Sequence, residues 1–163
     1  SIVNDITAAR KDEKILSIVS QYQCPYIAMH MQGTPDTMQS APQYESVLQD
    51  VGYFFSERIE KISKYTISDI ILDVGFGFGK SIPDNYHLLK NLGYFKPFHR
   101  PVLVGISRKS MIYKVLDSNP SEALLGSTAL HWEAFRQGTH ILRVHDVKEA
   151  VEVRKLYLTY QES

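Results

Sequence analysis

A chain of 163 residues, 44% of them apolar, can bury one ordinary core, which sets aside a disordered or low-complexity polymer. Eighteen Lys and Arg balance eighteen Asp and Glu, so no whole-surface field draws in nucleic acid or an anionic membrane, and any anion site must be local. The single cysteine, Cys24, excludes an internal disulfide, no apolar run could span a bilayer, and no signal-peptide layout opens the chain, which together predict a cytoplasmic setting.

Strand and helix patterns then alternate in chain order. Residues 1–5 read as the end of a buried strand with no initiator methionine, leader or cap before it, so the natural chain is expected to begin further upstream. Residues 12–23 carry Ile15, Leu16, Val19 and Tyr22 on one helical face, and 25–31 form the next strand, where Cys24 is expected as a small buried hydrophobe at the entrance. The stretch 32–42, with Gly33, Pro35, Asp36 and Ser40, has the chemistry of a loop. A long amphipathic helix over 43–65 presents Val47, Leu48, Val51, Phe54, Phe55, Ile59 and Ile62, and 69–74 is the third strand. Pro83 suits the first turn of a helix running to Leu92, and 101–106 is a fourth strand. A short helix over 108–116, a loop at 117–120 and a helix over 122–137 stopped by Gly138 follow. The fifth strand spans 139–144, and Asp146 with Glu149 resembles a capping box for a last helix through Tyr160.

After the third strand comes Asp73-Val74-Gly75-Phe76-Gly77-Phe78-Gly79-Lys80, a carboxylate at a strand mouth followed by a glycine turn. The glycines let the backbone turn sharply, and Phe76 and Phe78 offer apolar faces to something planar. This is neither a P-loop, since Val74 stands where its first glycine belongs, nor a dinucleotide fingerprint, since Lys80 replaces the third glycine.

Five βα units cannot close a (β/α)₈ barrel, which takes about 250 residues. The expectation is an α/β fold in which residues 1–163 form the C-terminal five-eighths of a single TIM-barrel domain. Ligands of such folds bind at the carboxyl ends of the strands. Five polar strand ends should therefore face one mouth: Asn4-Asp5, Met29-His30-Met31-Gln32, Asp73 with its turn, Ser107-Arg108-Lys109, and Arg143-Val144-His145-Asp146.

Taken in order, Ile2-Val3-Asn4-Asp5, Met29-His30-Met31-Gln32-Gly33, the Asp73 to Lys80 run, Val104-Gly105-Ile106-Ser107-Arg108-Lys109-Ser110 and Arg143-Val144-His145-Asp146-Val147 resemble the C-terminal part of dihydropteroate synthase. The resemblance implies a TIM barrel that joins 6-hydroxymethyl-7,8-dihydropterin diphosphate to p-aminobenzoate, releasing diphosphate in folate biosynthesis. It gives the pterin to Asn4, Met29, Asp73, Gly105 and Lys109, with Asp73 accepting from the ring's amino group and ring N–H. It gives p-aminobenzoate to Phe78, Ser107 and Arg108, with Arg108 also fixing loops, and diphosphate to Arg143 and His145. Lys109, Arg143 and His145 would carry the catalysis. His30 and Asp146 are expected to be structural, a hydrogen-bonded core histidine and a helix cap.

The resemblance further implies Mg²⁺ on the diphosphate, with no dedicated metal site in this chain, and a homodimer of the intact protein. Its Asp-Pro-Gly turn is Asp73-Val74-Gly75 here. An Asn-bearing loop for metal and diphosphate, a Thr-Arg closing loop and a further pterin-binding Asp have no counterpart in these residues. The isolated chain is therefore expected to be inactive. The alternatives are a non-catalytic pterin-binding module and a pterin-dependent methyltransferase.

Overall fold

Parallel strands buried on both faces need helices as crossovers, and the computed structural model, which describes residues 1–33 and 43–163, has that alternation throughout. Its elements are β1 (Val3–Asp5), α1 (Lys14–Tyr22), β2 (Tyr26–Met29), α2 (Val47–Ile62), β3 (Ile70–Asp73), α3 (Ile82–Lys90), a 3₁₀ helix (Leu92–Phe98), β4 (Val102–Val104), α4 (Ser110–Tyr113), α5 (Leu124–Arg136), β5 (Ile141–Leu142) and α6 (Val147–Glu162). The five strands pair in parallel in the order β1-β2-β3-β4-β5, so each strand lies beside its neighbours in the chain. Among the described residues β1 and β5 pair with no further strand, and the barrel wall stays open.

Register sorts the side chains into two faces. Tyr26, Ala28, Ile70, Leu72, Val102 and Val104 are buried toward the helices, in one core with Leu16, Val19, Val51, Phe55, Ile62, Leu88 and Phe95. Phe55, fully buried, meets Phe95 edge-on at 5.8 Å and Phe98 at 6.2 Å; burying one such ring is worth about 1.5–3 kcal/mol. On the opposite face Ile27, Ile71 and Leu103 form a smaller apolar cluster with Ile141. Met29 pairs with Asp73 and Asp73 with Leu103, while Asn4 pairs with Ile27 and Leu103 with Ile141. Counting by twos from these positions puts Asn4, Met29, Asp73, Gly105 and Arg143 on the inner face.

The elements follow the sequence expectation, with most ends drawn in by one to four residues and the last helix running two residues past Tyr160, and some local features differ. The 3₁₀ helix after α3 was not foreseen; it buries Leu92 and Phe95 and contains Pro97. Asp146 stands at the start of α6 but makes no capping bond, because its carboxylate is taken by Arg108. The reciprocal capping box occurs at α3 instead: Asp84 N–H donates to Ser81 Oγ at 3.2 Å, and Asp84 Oδ2 accepts from Ser81 N–H at 2.9 Å. Cys24 is only partly buried, packing at the rim of the core with Sγ 3.6 Å from the Tyr22 carbonyl. The loop expected over 32–42 lies, from 34 onward, outside the described residues.

Candidate active site

Asp73 ends β3 at 3% exposure. Its Oδ1 accepts from Gly75 N–H at 2.8 Å, while Oδ2 meets no donor among the described residues. Burial pushes its carboxyl above the ordinary range, opposed by that backbone bond and by the charges of Lys109, Arg143 and Lys80. Such a group gains from a ligand that brings it further donors.

The glycine turn wraps tightly beyond it. Gly75 has φ +68°, and a Cβ there would sit 1.9 Å from the His30 carbonyl oxygen. Val74, replacing the rigid proline of the resemblance, is fully buried in the core. Phe76 is fully buried there too, so the expectation that both loop rings face a planar ligand is corrected: the turn points Phe76 inward and leaves Phe78 half-buried on the site side. Asn85 of α3 steadies the loop, accepting from Gly77 N–H at 2.7 Å and donating to the Ser81 carbonyl at 2.6 Å.

Lys109 crosses from the β4 side to meet this loop. Its ammonium donates to the Phe76 carbonyl and lies 4.8 Å from the Phe78 ring centroid. Burial pulls its pKa to about 8, with Asp73 opposing the shift and Arg143 adding to it. A Cβ on Gly77 would lie 3.5 Å from Lys109 Cδ, so loop and lysine stem interlock.

Contact between the β4 and β5 segments continues beyond β5. Arg143 N–H donates to the Val104 carbonyl at 2.9 Å, and its guanidinium covers Gly105, with Nε and Nη2 each 3.4 Å from where a Cβ would stand. His145 meets the Ser107 side chain instead, N–H to Oγ at 3.3 Å and Nδ1 to Oγ at 3.1 Å. Ser107, expected as a polar handle for p-aminobenzoate, is 3% exposed, and its hydroxyl holds His145. Arg108, at φ +54°, commits four N–H bonds to protein: two at 2.9 Å to Asp146, and two to the Pro120 and Ser121 carbonyls at 2.8 and 2.7 Å. Its expected loop-fixing role is visible, whereas little of its fork remains for a substrate.

The other expected residues divide. Met29 is buried beside Asp73, with Cγ 3.3 Å from the position of a Gly75 Cβ. Asn4 lies on the same face two strands away and is exposed. Asp5 organises the turn after β1: burial pushes its pKa up, but bonds from Tyr26 Oη, the Thr7 hydroxyl and N–H, and Ala9 N–H bring it below the usual value.

Sequence reasoning missed Lys80. This buried side chain lies 2.9 Å from His30 Nδ1 and donates to the Gly75 carbonyl at 2.9 Å and to the Phe78 carbonyl at 3.1 Å. The only hint was a lysine directly after the glycine turn, set aside there with the P-loop reading.

His30 is buried against Phe54, ring centroids 4.9 Å apart, which bears out its reading as a hydrogen-bonded core histidine. Burial, then the charges of Lys80 and Arg10, pull its pKa to about 2. The unfolded chain therefore binds a proton below about pH 6.5 that the folded chain refuses, and stability falls as pH drops from 6.5 toward 2. Between pH 7 and 5 urea unfolding should lose about 1–2 kcal/mol from this group, and His30→Asn, which keeps an acceptor near Nδ1, should remove most of that slope. An equal slope in the variant would assign it elsewhere.

This carboxylate and its cations can be set beside known proteins. The pterin binding enzyme family model matches residues 1–145. The chain is 45% identical over 157 residues to dihydropteroate synthase of Escherichia coli strain K12, covering 95% of this chain and 55% of that protein. It is 42% identical over 158 residues to dihydropteroate synthase of Haemophilus influenzae, covering 96% and 57%. Among solved structures, Yersinia pestis dihydropteroate synthase with a sulfonamide drug complex matches with a TM-score of 0.95 at 38% identity, over 99% of this chain and 59% of that one. The Xanthomonas albilineans dihydropteroate synthase in complex with 7,8-dihydropteroate matches with a TM-score of 0.90 at 34% identity, over 99% and 60%. The chain thus spans a little over half the length of these relatives. With its open parallel wall, its strand-end carboxylate and this agreement over nearly its whole length, the chain belongs to the pterin-binding enzyme family.

Proposed function

We propose that this chain carries the pterin and diphosphate sites of a dihydropteroate synthase. The observation that carries the reading is the buried Asp73, one oxygen without a donor among the described residues, on the same inner face as Met29 and Arg143 and close enough to Lys109 to feel its charge. A dihydropterin edge offers an amino group and a ring N–H, the donors such a carboxylate lacks. Asn4 would read neighbouring ring heteroatoms and Met29 would lie against the ring. Gly105 lets the guanidinium lie close over the strand, and Lys109, still mainly protonated at neutral pH with its pKa near 8, would donate to the pterin's acceptor side.

In the reaction the carbon–oxygen bond to diphosphate breaks, and the electron pair leaves with the diphosphate. The resulting cation is delocalised over the pterin ring. The neutral amine of p-aminobenzoate then forms the carbon–nitrogen bond and releases its proton to water. Arg143 and His145 would stabilise the departing charge, while Phe78 would border the arylamine with Ser107 holding His145 behind it. Among the described residues no group of three or more His, Cys, Asp or Glu side chains is gathered for a metal. The Mg²⁺ of this proposal would travel with the diphosphate. Small-molecule substrates, a homodimer and a cytoplasmic setting complete the reading; no helix among the described residues is long and apolar enough to cross a membrane.

The test is dihydropteroate and diphosphate formation by the natural gene product, with Arg143→Ala lowering kcat about a hundredfold while pterin binding changes little. Pterin binding without diphosphate release would favour the non-catalytic module, and methyl transfer from a methylated pterin the methyltransferase. The 163-residue chain alone should bind pterin weakly and turn over nothing; robust turnover by it would contradict this.

A further inference from the structure

A buried amino group is costly unless its polar contacts are made within the protein. Lys80 Nζ donates to the Gly75 and Phe78 carbonyls, lies 2.9 Å from His30 Nδ1 and reaches the His30 carbonyl at 3.4 Å. The Gly75 and Phe78 partners belong to the glycine loop, and His30 lies just beyond β2. Between them runs the segment whose Phe76 carbonyl and Phe78 ring receive Lys109. A hydrocarbon side chain of equal length could fill the space but could not gather these groups.

We infer that Lys80 is a positioning residue: its Nζ staples the 75–79 loop to the end of β2 and thereby sets the surface on which Lys109 and the arylamine meet. The first half stands on geometry alone, and the arylamine half rests on the proposed function.

Electrostatics give the staple a distinctive signature. Burial pulls Lys80 to about 7; Lys109 and Arg10 add to the shift, Asp73 and Asp84 oppose it, and the neighbouring His30 stays neutral. When the loop opens, Lys80 returns toward its ordinary 10.5, so opening takes up a proton between about pH 7 and 10.5. Protection of the loop should therefore increase as pH rises through that window. Lys109, at about 8, adds a smaller slope of the same sign.

The experiment is hydrogen exchange in the 163-residue chain, expressed as protection factors, for the amides of Gly77 and Phe78, both hydrogen-bonded in the closed loop. Lys80→Met should lower their protection about tenfold and reduce the pH slope to the Lys109 share, while the β2 amides change much less. Lys80→Gln, with two N–H donors on a shorter stem, should fall between and serves if the methionine variant does not fold. In the natural gene product Lys80→Met should raise KM for p-aminobenzoate about tenfold, with kcat changed less. Unaltered protection at Gly77 and Phe78, or a loss spread evenly over β2 and β3, would overturn the inference. Loosened loop amides in Lys80→Met, alongside a wild-type gene product that shows no synthase turnover, would instead sink the proposed function and leave the staple standing.

Discussion

Asp73→Asn should weaken dihydropterin binding by the natural gene product about a hundredfold or more, read by titration calorimetry. Two hydrogen bonds to an ionised acceptor are worth about 1.5–3 kcal/mol each, and an amide that turns its N–H₂ toward the ring meets donor with donor. The shape of the side chain is unchanged and Oδ1 can still accept from Gly75 N–H, so loop geometry should survive. What changes is charge, because Lys109, Arg143 and Lys80 all lose the anion between them. Thermal stability should therefore move far less than affinity. Undiminished pterin binding by the variant would remove the central residue of the site.

The second large effect is on stability. Gly75→Ala should cost more than about 3 kcal/mol in urea unfolding, because its Cβ would overlap backbone rather than a flexible side chain. The His30 carbonyl oxygen would be 1.9 Å away and its carbon 3.0 Å, and neither can retreat without moving the end of β2. Left-handed backbone at φ +68° adds about 1–2 kcal/mol for any residue with a Cβ. Gly77→Ala is the control: it shares the left-handed cost at φ +80°, but its nearest neighbour is the side-chain Lys109 Cδ at 3.5 Å, an ordinary van der Waals contact. Equal losses in the two variants would show that close approach at Gly75 is unimportant.

Much of this was legible beforehand for physical reasons. Strands covered on both faces read as unbroken apolar runs, as from Val102 to Val104, and the first polar group after such a run marks the mouth of the sheet. Asp73 and Arg143 were found that way. Distances across the fold were not legible. Lys80 and His30 are 50 residues apart and meet only because the turn doubles back over β2. Arg108 and Asp146, separated by 38 residues, pair through the parallel register of the last two units, which cost Asp146 its expected cap. Phe76 and Phe78 look equivalent in sequence, and only the course of the turn sends one into the core and the other to the site.

Because spatial order in the sheet repeats chain order without a swap, the polypeptide can assemble by accretion, each new unit docking on a template already laid down. No segment has to wait for a distant one before it finds its lateral partner. The polar groups of the mouth then converge in sequence as well, one contribution from each unit, and the binding surface matures only when the last of them arrives.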